Sequence, residues 1–177
     1  NIYLRLVELR DVEFIFYLRS HPEKSKNLNP VSSNIDDQKD WIKEYKVREQ
    51  KKLEYYFVAC LKTDEKVGTV RIYDLTKDSF CWGSWITAPQ APRGAGIEMM
   101  LIIYDFAFSH LNYPQSHFEV LKHNEKVIDF HKRCGAKIGR EDEPAEVCPL
   151  GRRLQAVYGD RPLHMFSPQN RPEAGGL

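Results

Sequence analysis

Apolar and polar positions alternate at the start of the chain. Ile2, Leu4 and Leu6 interleave with Tyr3, Arg5 and Val7, a period of two that predicts a strand, with Glu8 to Arg10 as its exit. The period then changes. Phe14, Ile15 and Leu18 fall on one face at helical spacing and predict a helix over Val12 to Arg19, with Asp11 placed to cap it. Asn27 to Asn34 is a polar turn region containing Pro30. Asp36 or Asp37 opens a second helix, Gln38 to roughly Lys51, whose stripe is Trp41, Ile42 and Tyr45. Its lysines and glutamates read as a solvated face.

Three strand-like runs follow, Tyr55 to Leu61, Val67 to Tyr73 and Phe80 to Ile86, joined by hairpin-like links that predict an antiparallel meander. Met99 to Leu111 is a helix apolar on nearly all sides, which buries it against a sheet. After Pro114, His117 to Leu121 is a short strand, expected to run parallel to the one at Trp82. Asn124 opens another helix through Cys134, closed by Gly135. Ala136 to Ile138 begins a further strand, and Arg153 to Tyr158 forms one more. The order is β-α-α-β-β-β-α-β-α-β, an α/β chain with a mixed sheet. The domain expectation is one unit over residues 1–166, with an atypical part after Glu141, and a tail over 167–177 without fixed structure.

Composition narrows the function classes. The 177 residues suffice for one sizeable core. A net charge of +1 argues against nucleic-acid binding through bulk charge. Cys60, Cys81, Cys134 and Cys148 are widely spaced, without a CxxC pair or metal-ligand spacing, and read as reduced thiols of a cytoplasmic protein. Neither an apolar segment of membrane-spanning length nor a secretory signal is visible, so the expectation includes no membrane partner and no metal.

The most informative stretch is Trp82 to Gly96, WGSWITAPQAPRGAG. An apolar run ends at Thr87, a proline-punctuated turn follows, and Arg93-Gly94-Ala95-Gly96 leads into the apolar helix. Glycines at the entrance allow a close backbone approach. The first helical turn leaves amides without helical partners, a ready site for a phosphate or pyrophosphate.

This stretch resembles motif A of the GNAT acyl-CoA N-acyltransferases. Arg93 and Gly96 match, with Gly94 between them, while Glu98 stands where the family usually has Gly or Ala. Asn124 to Ala136 resembles motif B. Asn124 and Gly135 fall in register, Val127 replaces an Ala, His131 replaces a Tyr, and Ala136 replaces an aromatic. Leu4-Arg5-Leu6, Asp11 to Phe14, Leu18 to Pro22 and Trp41-Ile42 look like the RimJ/RimL-like branch. They look equally like the GNATs that acetylate amino sugars on nucleotide carriers.

The resemblance implies a mostly antiparallel sheet, flanked by helices and splayed around 82–87 and 117–121. It implies transfer of acetyl from acetyl-CoA to an amine by direct attack. The pantetheine arm would lie along Trp85, Ile86 and Thr87, pairing with backbone as an added strand does. The pyrophosphate would meet the amides of Arg93, Gly94, Ala95, Gly96 and Ile97. Asn124 is either a helix cap or a cosubstrate contact. Glu119 is the first candidate for the base, with Glu98, Asp78 and Asp74 behind it, the last two as turn residues. His131 stands in the place of a proton-donating tyrosine, or is a packed helix histidine. Trp82 and Trp85 lie on opposite faces of a straight strand, and a bulge would change this. His21, Asn27 and Asn29 lie in the loop region that shapes the acceptor site in this family. The acceptor leans to a nucleotide-linked amino sugar, with a protein N-terminus or a small amine as alternatives. A homodimer is an open alternative to a monomer. The rivals are a non-catalytic acyl-CoA-binding or assembly protein on the same fold, and a globular domain with no acyl-CoA site.

Overall fold

The computed structural model describes residues 2–25, 31–121, 123–134, 136–138 and 153–158; side chains at 25, 118–119, 137–138 and 153–158 are not described. Seven strands form one sheet in the order β1-β2-β3-β4-β5-β7-β6. They are β1 (Ile2–Leu6), β2 (Tyr55–Leu61), β3 (Lys66–Tyr73), β4 (Ser79–Thr87), β5 (Gln115–Leu121), β6 (Lys137–Ile138) and β7 (Arg153–Tyr158). Neighbours are antiparallel except β4 and β5, which run parallel. The meander and the parallel pair are as the sequence pattern predicts. So is β7, which inserts between β5 and β6.

Helices cover both faces. A 3-10 turn (Leu9–Asp11) leads into α1 (Val12–Ser20), then α2 (Pro22–Ser25) and α3 (Ile35–Gln50). On that face Val12, Ile15, Ile42 and Tyr45 pack on Tyr56, Val58 and Cys60. The other face carries α4 (Ala95–Asp105), which runs on into a π-helical turn (Phe106–His110). Its Met99, Met100, Ile103 and Tyr104 meet Phe57, Val70, Ile72, Phe80 and Trp82. Met99, Met100 and Ile103 are fully buried, and each contributes about 1.5–3 kcal/mol of hydrophobic stabilisation. α5 (Glu125–Arg133) follows β5.

Several boundaries and caps differ from the sequence expectation, β5 starting at Gln115 rather than His117 among them. Asn34, not an aspartate, caps α3, accepting the Asp36 amide at 3.0 Å. The helix after the glycines starts at Ala95 rather than Met99, so Gly96 sits inside its first turn. Asp11 holds the cap position of α1 but makes no capping bond with its side chain. Its carboxylate is wholly buried and is taken instead by Arg5, through two bonds of 2.7 Å, by Lys66 at 2.7 Å and by the Glu8 amide at 2.9 Å. The competing partner is a cation fork on β1, stronger than a neutral cap bond. Gly135, Pro30, Cys148 and the tail over 167–177 lie outside the described residues. Cys60, Cys81 and Cys134 are buried thiols.

Burial alone would push the Asp11 carboxyl up, but the hydrogen bonds from Arg5, Lys66 and Glu8 outweigh it and hold it well below the usual carboxylate range. The folded state therefore binds the proton later than the unfolded chain. This contribution to stability is full above the unfolded pKa of about 3.9 and is lost as pH falls through the lower folded value. Asp11→Asn is expected to cost about 3 kcal/mol in urea unfolding at neutral pH. It is also expected to flatten the fall in stability below about pH 5.

Candidate active site

β4 and β5 are paired over only three positions: Ser79 with Gln115, Phe80 with Ser116 and Cys81 with His117. Beyond Cys81, β4 stays paired with β3 through Thr87, whereas β5 stays paired with β7 through Leu121. The two strands thus diverge as a V whose vertex is Cys81 and His117. On the V side, residues 83–87 of β4 have no strand partner among the described residues. A backbone edge so exposed can take an extended, amide-bearing chain as an added strand.

The divergence coincides with a bulge. The β3–β4 register runs Thr69 to Ile86 and then Arg71 to Gly83, so that Val70 alone on β3 stands against Ser84 and Trp85 on β4. The extra residue falls by Ser84, which adopts φ 47, a left-handed conformation that costs on the order of 1–3 kcal/mol. Thr69 offsets part of this by donating its hydroxyl to the Ser84 carbonyl at 3.1 Å. The bulge puts Trp82 and Trp85 on the same side, ring centroids 5.4 Å apart. Opposite faces, the expectation for a straight strand, are therefore not found, and the inserted residue is the reason.

Both tryptophans anchor the strand to its helices. The Trp82 indole donates to the Tyr104 hydroxyl at 2.9 Å, and the Trp85 indole donates to the Gly96 carbonyl at 3.2 Å. Trp85 spans the gap between strand and helix entrance. A Cβ on Gly96 would lie 3.2 Å from its ring, tighter than ordinary contact. Gly94 sits at φ 89, where a side chain is strained whatever the space. The turn uses the Ala95 amide itself, in a 3.0 Å bond to the Pro92 carbonyl, and the helical ladder begins with Glu98 on Gly94 at 3.0 Å. The amides of Gly96 and Ile97 precede that ladder, on the positive end of the α4 dipole. Arg93 is exposed beside them. Glu98 reaches across to β1, where its carboxylate accepts the Ile2 amide at 3.2 Å. The edge of β4 and these two amides suit a ligand that combines amide groups with a pyrophosphate, as coenzyme A does.

His131 is buried in an aromatic cage, its ring 5.4 Å from Trp82 and 5.5 Å from Phe130. Desolvation lowers its pKa to about 3, so it is a neutral imidazole throughout the working range. Asn124 precedes α5 at the cap position, yet its side chain makes no capping bond. Glu119 lies in β5 with Gln155 as its register partner; its side chain lies outside the described residues, as do Asn27 and Asn29. His21 follows α1, its ring edge-on to Tyr17 at 6.3 Å. Sequence reasoning missed Thr69, since a threonine inside a strand carries no signal of the carbonyl it holds. It also took Asp74 for a turn residue and His117 for the start of a strand. The two meet at 3.0 Å. Among the described residues no cluster of His, Cys, Asp or Glu is placed to hold a metal, and no helix is long and apolar enough to cross a membrane.

The unfolded chain protonates this histidine at a pKa of about 6.5, the folded protein only near 3. Stability is therefore unaffected above the unfolded value and falls as pH drops below it, by up to about 1.4 kcal/mol per pH unit. His131→Phe is expected to remove that slope between about pH 6 and pH 5 in urea unfolding, above the window in which Asp11 acts.

Known proteins share this fold. Residues 1–137 match the family described as acetyltransferase (GNAT) domain. The structure of FdhC, a nucleotide-linked sugar GNAT, is 38% identical, covers 89% of this chain and 86% of its own, and superposes with a TM-score of 0.76. Spermidine N-acetyltransferase from Vibrio cholerae, in complex with CoA and spermine, is 20% identical, covers 92% of this chain and 98% of its own, and gives a TM-score of 0.71, a likeness of fold. An SPbeta prophage-derived uncharacterized N-acetyltransferase of Bacillus subtilis, YokL, is 22% identical over 137 residues, 76% of this chain and 75% of that protein. The V between β4 and β5, the glycine-led start of α4 and the family match over residues 1–137 agree: the chain belongs to the GNAT acetyltransferases, enzymes that take acetyl from acetyl-CoA.

Proposed function

We propose that this enzyme acetylates the amino group of a nucleotide-linked amino sugar. The observation that carries the reading is the 38% identity with a nucleotide-linked sugar GNAT over 89% of the chain. The spermidine acetyltransferases share the fold at about half that identity. In this reading the residues divide the work as follows. Backbone groups of Trp85, Ile86 and Thr87 pair with the pantetheine amides. The amides of Gly96 and Ile97 take the pyrophosphate, with Arg93 adding charge and Gly94 and Ala95 shaping the turn. Asn124, its side chain not spent on capping, contacts the cosubstrate. His131, being neutral, assists the leaving thiolate as an N–H donor, and Glu119 lies on the strand across the V.

The acceptor is settled by initial rates with acetyl-CoA against a nucleotide-linked amino sugar, spermidine and an N-terminal peptide. The sugar nucleotide is expected to give a kcat/KM at least about tenfold above the others. Turnover of the peptide or spermidine without turnover of any amino sugar reverses the assignment.

Gly96→Asp tests the cosubstrate site. The new Cβ displaces the Trp85 ring, and the carboxylate repels a pyrophosphate. A rise of at least about tenfold in the acetyl-CoA Kd is expected by calorimetry, or about 1.4 kcal/mol. An unchanged Kd in a folded variant removes the pyrophosphate from this helix start.

A further inference from the structure

We propose that His117, coupled to Asp74 and Ser79 at the vertex of the V, accepts the proton that the attacking amine must lose. The inference rests on amine acetylation as such, and is independent of which amine is the acceptor.

The chemistry requires a proton acceptor. An ammonium substrate must lose one proton before its nitrogen can attack the thioester carbon. When the C–N bond has formed and the C–S bond breaks, the nitrogen loses a second proton, and the thiolate takes up one. One proton per turnover therefore has to leave the site. His131 is not its destination, because its cage of Trp82 and Phe130 disfavours the imidazolium.

His117 has the opposite surroundings. Along β4, Phe80 and Trp82 point toward α4, where they pack on Tyr104. By alternation, Ser79 and Cys81 point to the other face. His117 is the β5 member of the last pair before the strands part, opposite Cys81. Its ring lies on that second face, with Nδ1 2.9 Å from the Ser79 hydroxyl and Nε2 3.0 Å from the Asp74 carboxylate. The ring is buried, whereas the Asp74 side chain is 66% exposed and reaches solvent. The hairpin turn adds the Thr76 hydroxyl, 2.8 Å from that of Ser79.

Bond polarity in this array is determined. A carboxylate only accepts, so Nε2 carries the proton and Nδ1 presents its lone pair to the Ser79 O–H. Ser79 in turn accepts from Thr76. When the ring takes a second proton, Nδ1–H donates to Ser79, whose hydroxyl turns to Thr76. The Thr76 hydroxyl has an alternative acceptor in the Ser79 carbonyl at 3.1 Å. Protonation thus breaks no hydrogen bond and adds an ion pair with Asp74. Titratable groups near the array include the Cys81 thiol on β4, Tyr73 opposite it on β3, Asp78 in the turn, 3.4 Å from Thr76 Oγ1, and Glu119 two residues further along β5, whose side chain lies outside the described residues; the register partner on β7 is Val157. The step balances. An N–H bond of the ammonium breaks to a water, Ser79 receives that proton and yields its own to Nδ1, the imidazolium then loses one proton through Asp74 to solvent, and exchange of the ring's remaining proton with solvent restores the Nε2–H tautomer.

The test measures kcat/KM against pH for the wild type, His117→Gln and Asp74→Asn, with two acceptors of different amine basicity so that the amine's own ionisation is told apart. Calorimetry reports the acetyl-CoA Kd. Expected for His117→Gln are a kcat about a hundredfold lower, an acetyl-CoA Kd within about twofold of wild type, and loss of the acid limb that is common to both acceptors. Asp74→Asn is expected to move that limb to lower pH, because the imidazolium loses its anionic partner. A limb unchanged in His117→Gln, or a kcat within about twofold of wild type, overturns the proposal. A clasp without chemistry lowers the melting temperature and leaves the limb in place, which also overturns it. If His117→Gln does not fold, Asp74→Asn decides: a limb that does not move overturns the assignment.

Discussion

β4 holds one residue more than its pairing with β3 accommodates, and much of the site follows from where that residue goes. Between the pairs Thr69–Ile86 and Arg71–Gly83 the strand bulges at Ser84 and leaves its course beside β5. Pairing with β5 ends at Cys81. A strand that continued flat would pair further and close the edge along residues 83–87 that the proposed cosubstrate site uses. The bulge costs backbone strain on the order of a kcal/mol or more, and the structure offsets it with bonds that only a bulged strand can make. Thr69 takes the Ser84 carbonyl, and the re-aimed Trp85 reaches the Gly96 carbonyl.

The aromatic cluster converts this local geometry into a rigid frame. Trp82 touches Trp85, Tyr104 and His131, and Trp85 touches Phe130. These residues come from β4, α4 and α5, so the three elements around the V are fixed by one set of edge-to-face and tilted ring contacts. Each such contact adds about 0.5–1.5 kcal/mol beyond buried area. Glu98 ties the same helix start to β1 by accepting the Ile2 amide. A carboxylate in the first turn of an anion-binding helix is unfavourable if it faces the anion, and this one is directed to the sheet instead. The family's small residue at that place is thus replaced by a side chain with a structural bond of its own.

Much of the fold was legible because hydrophobic period and turn chemistry agree along the chain. Tyr55–Leu61 and Arg153–Tyr158 begin and end where their patterns do. The parallel pairing of β4 with β5 follows from the helix between them. The boundaries that moved did so where a tertiary partner outcompeted a local one, as Arg5 and Lys66 did for Asp11. The glycine-led start of α4 was legible because it depends on backbone. The site was not legible where it depends on side chains brought together from distant strands. Asp74 and His117 are 43 positions apart, and neither belongs to a local pattern. The bulge had no signal of its own either, since Ser84 is not the glycine that a positive φ favours.

The contrast between the two buried histidines shows why residue type alone does not assign chemistry. His131 replaces a family tyrosine, and its surroundings include the Trp82 and Phe130 rings, so burial penalises the charged ring. A tyrosine hydroxyl can donate a proton from such a cage because its acid form is neutral. An imidazole in the same cage is neutral only after it has lost its acidic proton, and what remains is the far weaker N–H acid. Replacing the tyrosine by histidine therefore retains a hydrogen-bond donor but gives up a ready proton source. His117 is buried to a similar degree, but it faces a carboxylate and a hydroxyl that can accept or donate. One ring is caged by aromatics and the other is hydrogen-bonded to a carboxylate and a hydroxyl, and the sheet places both around the same divergence of β4 from β5.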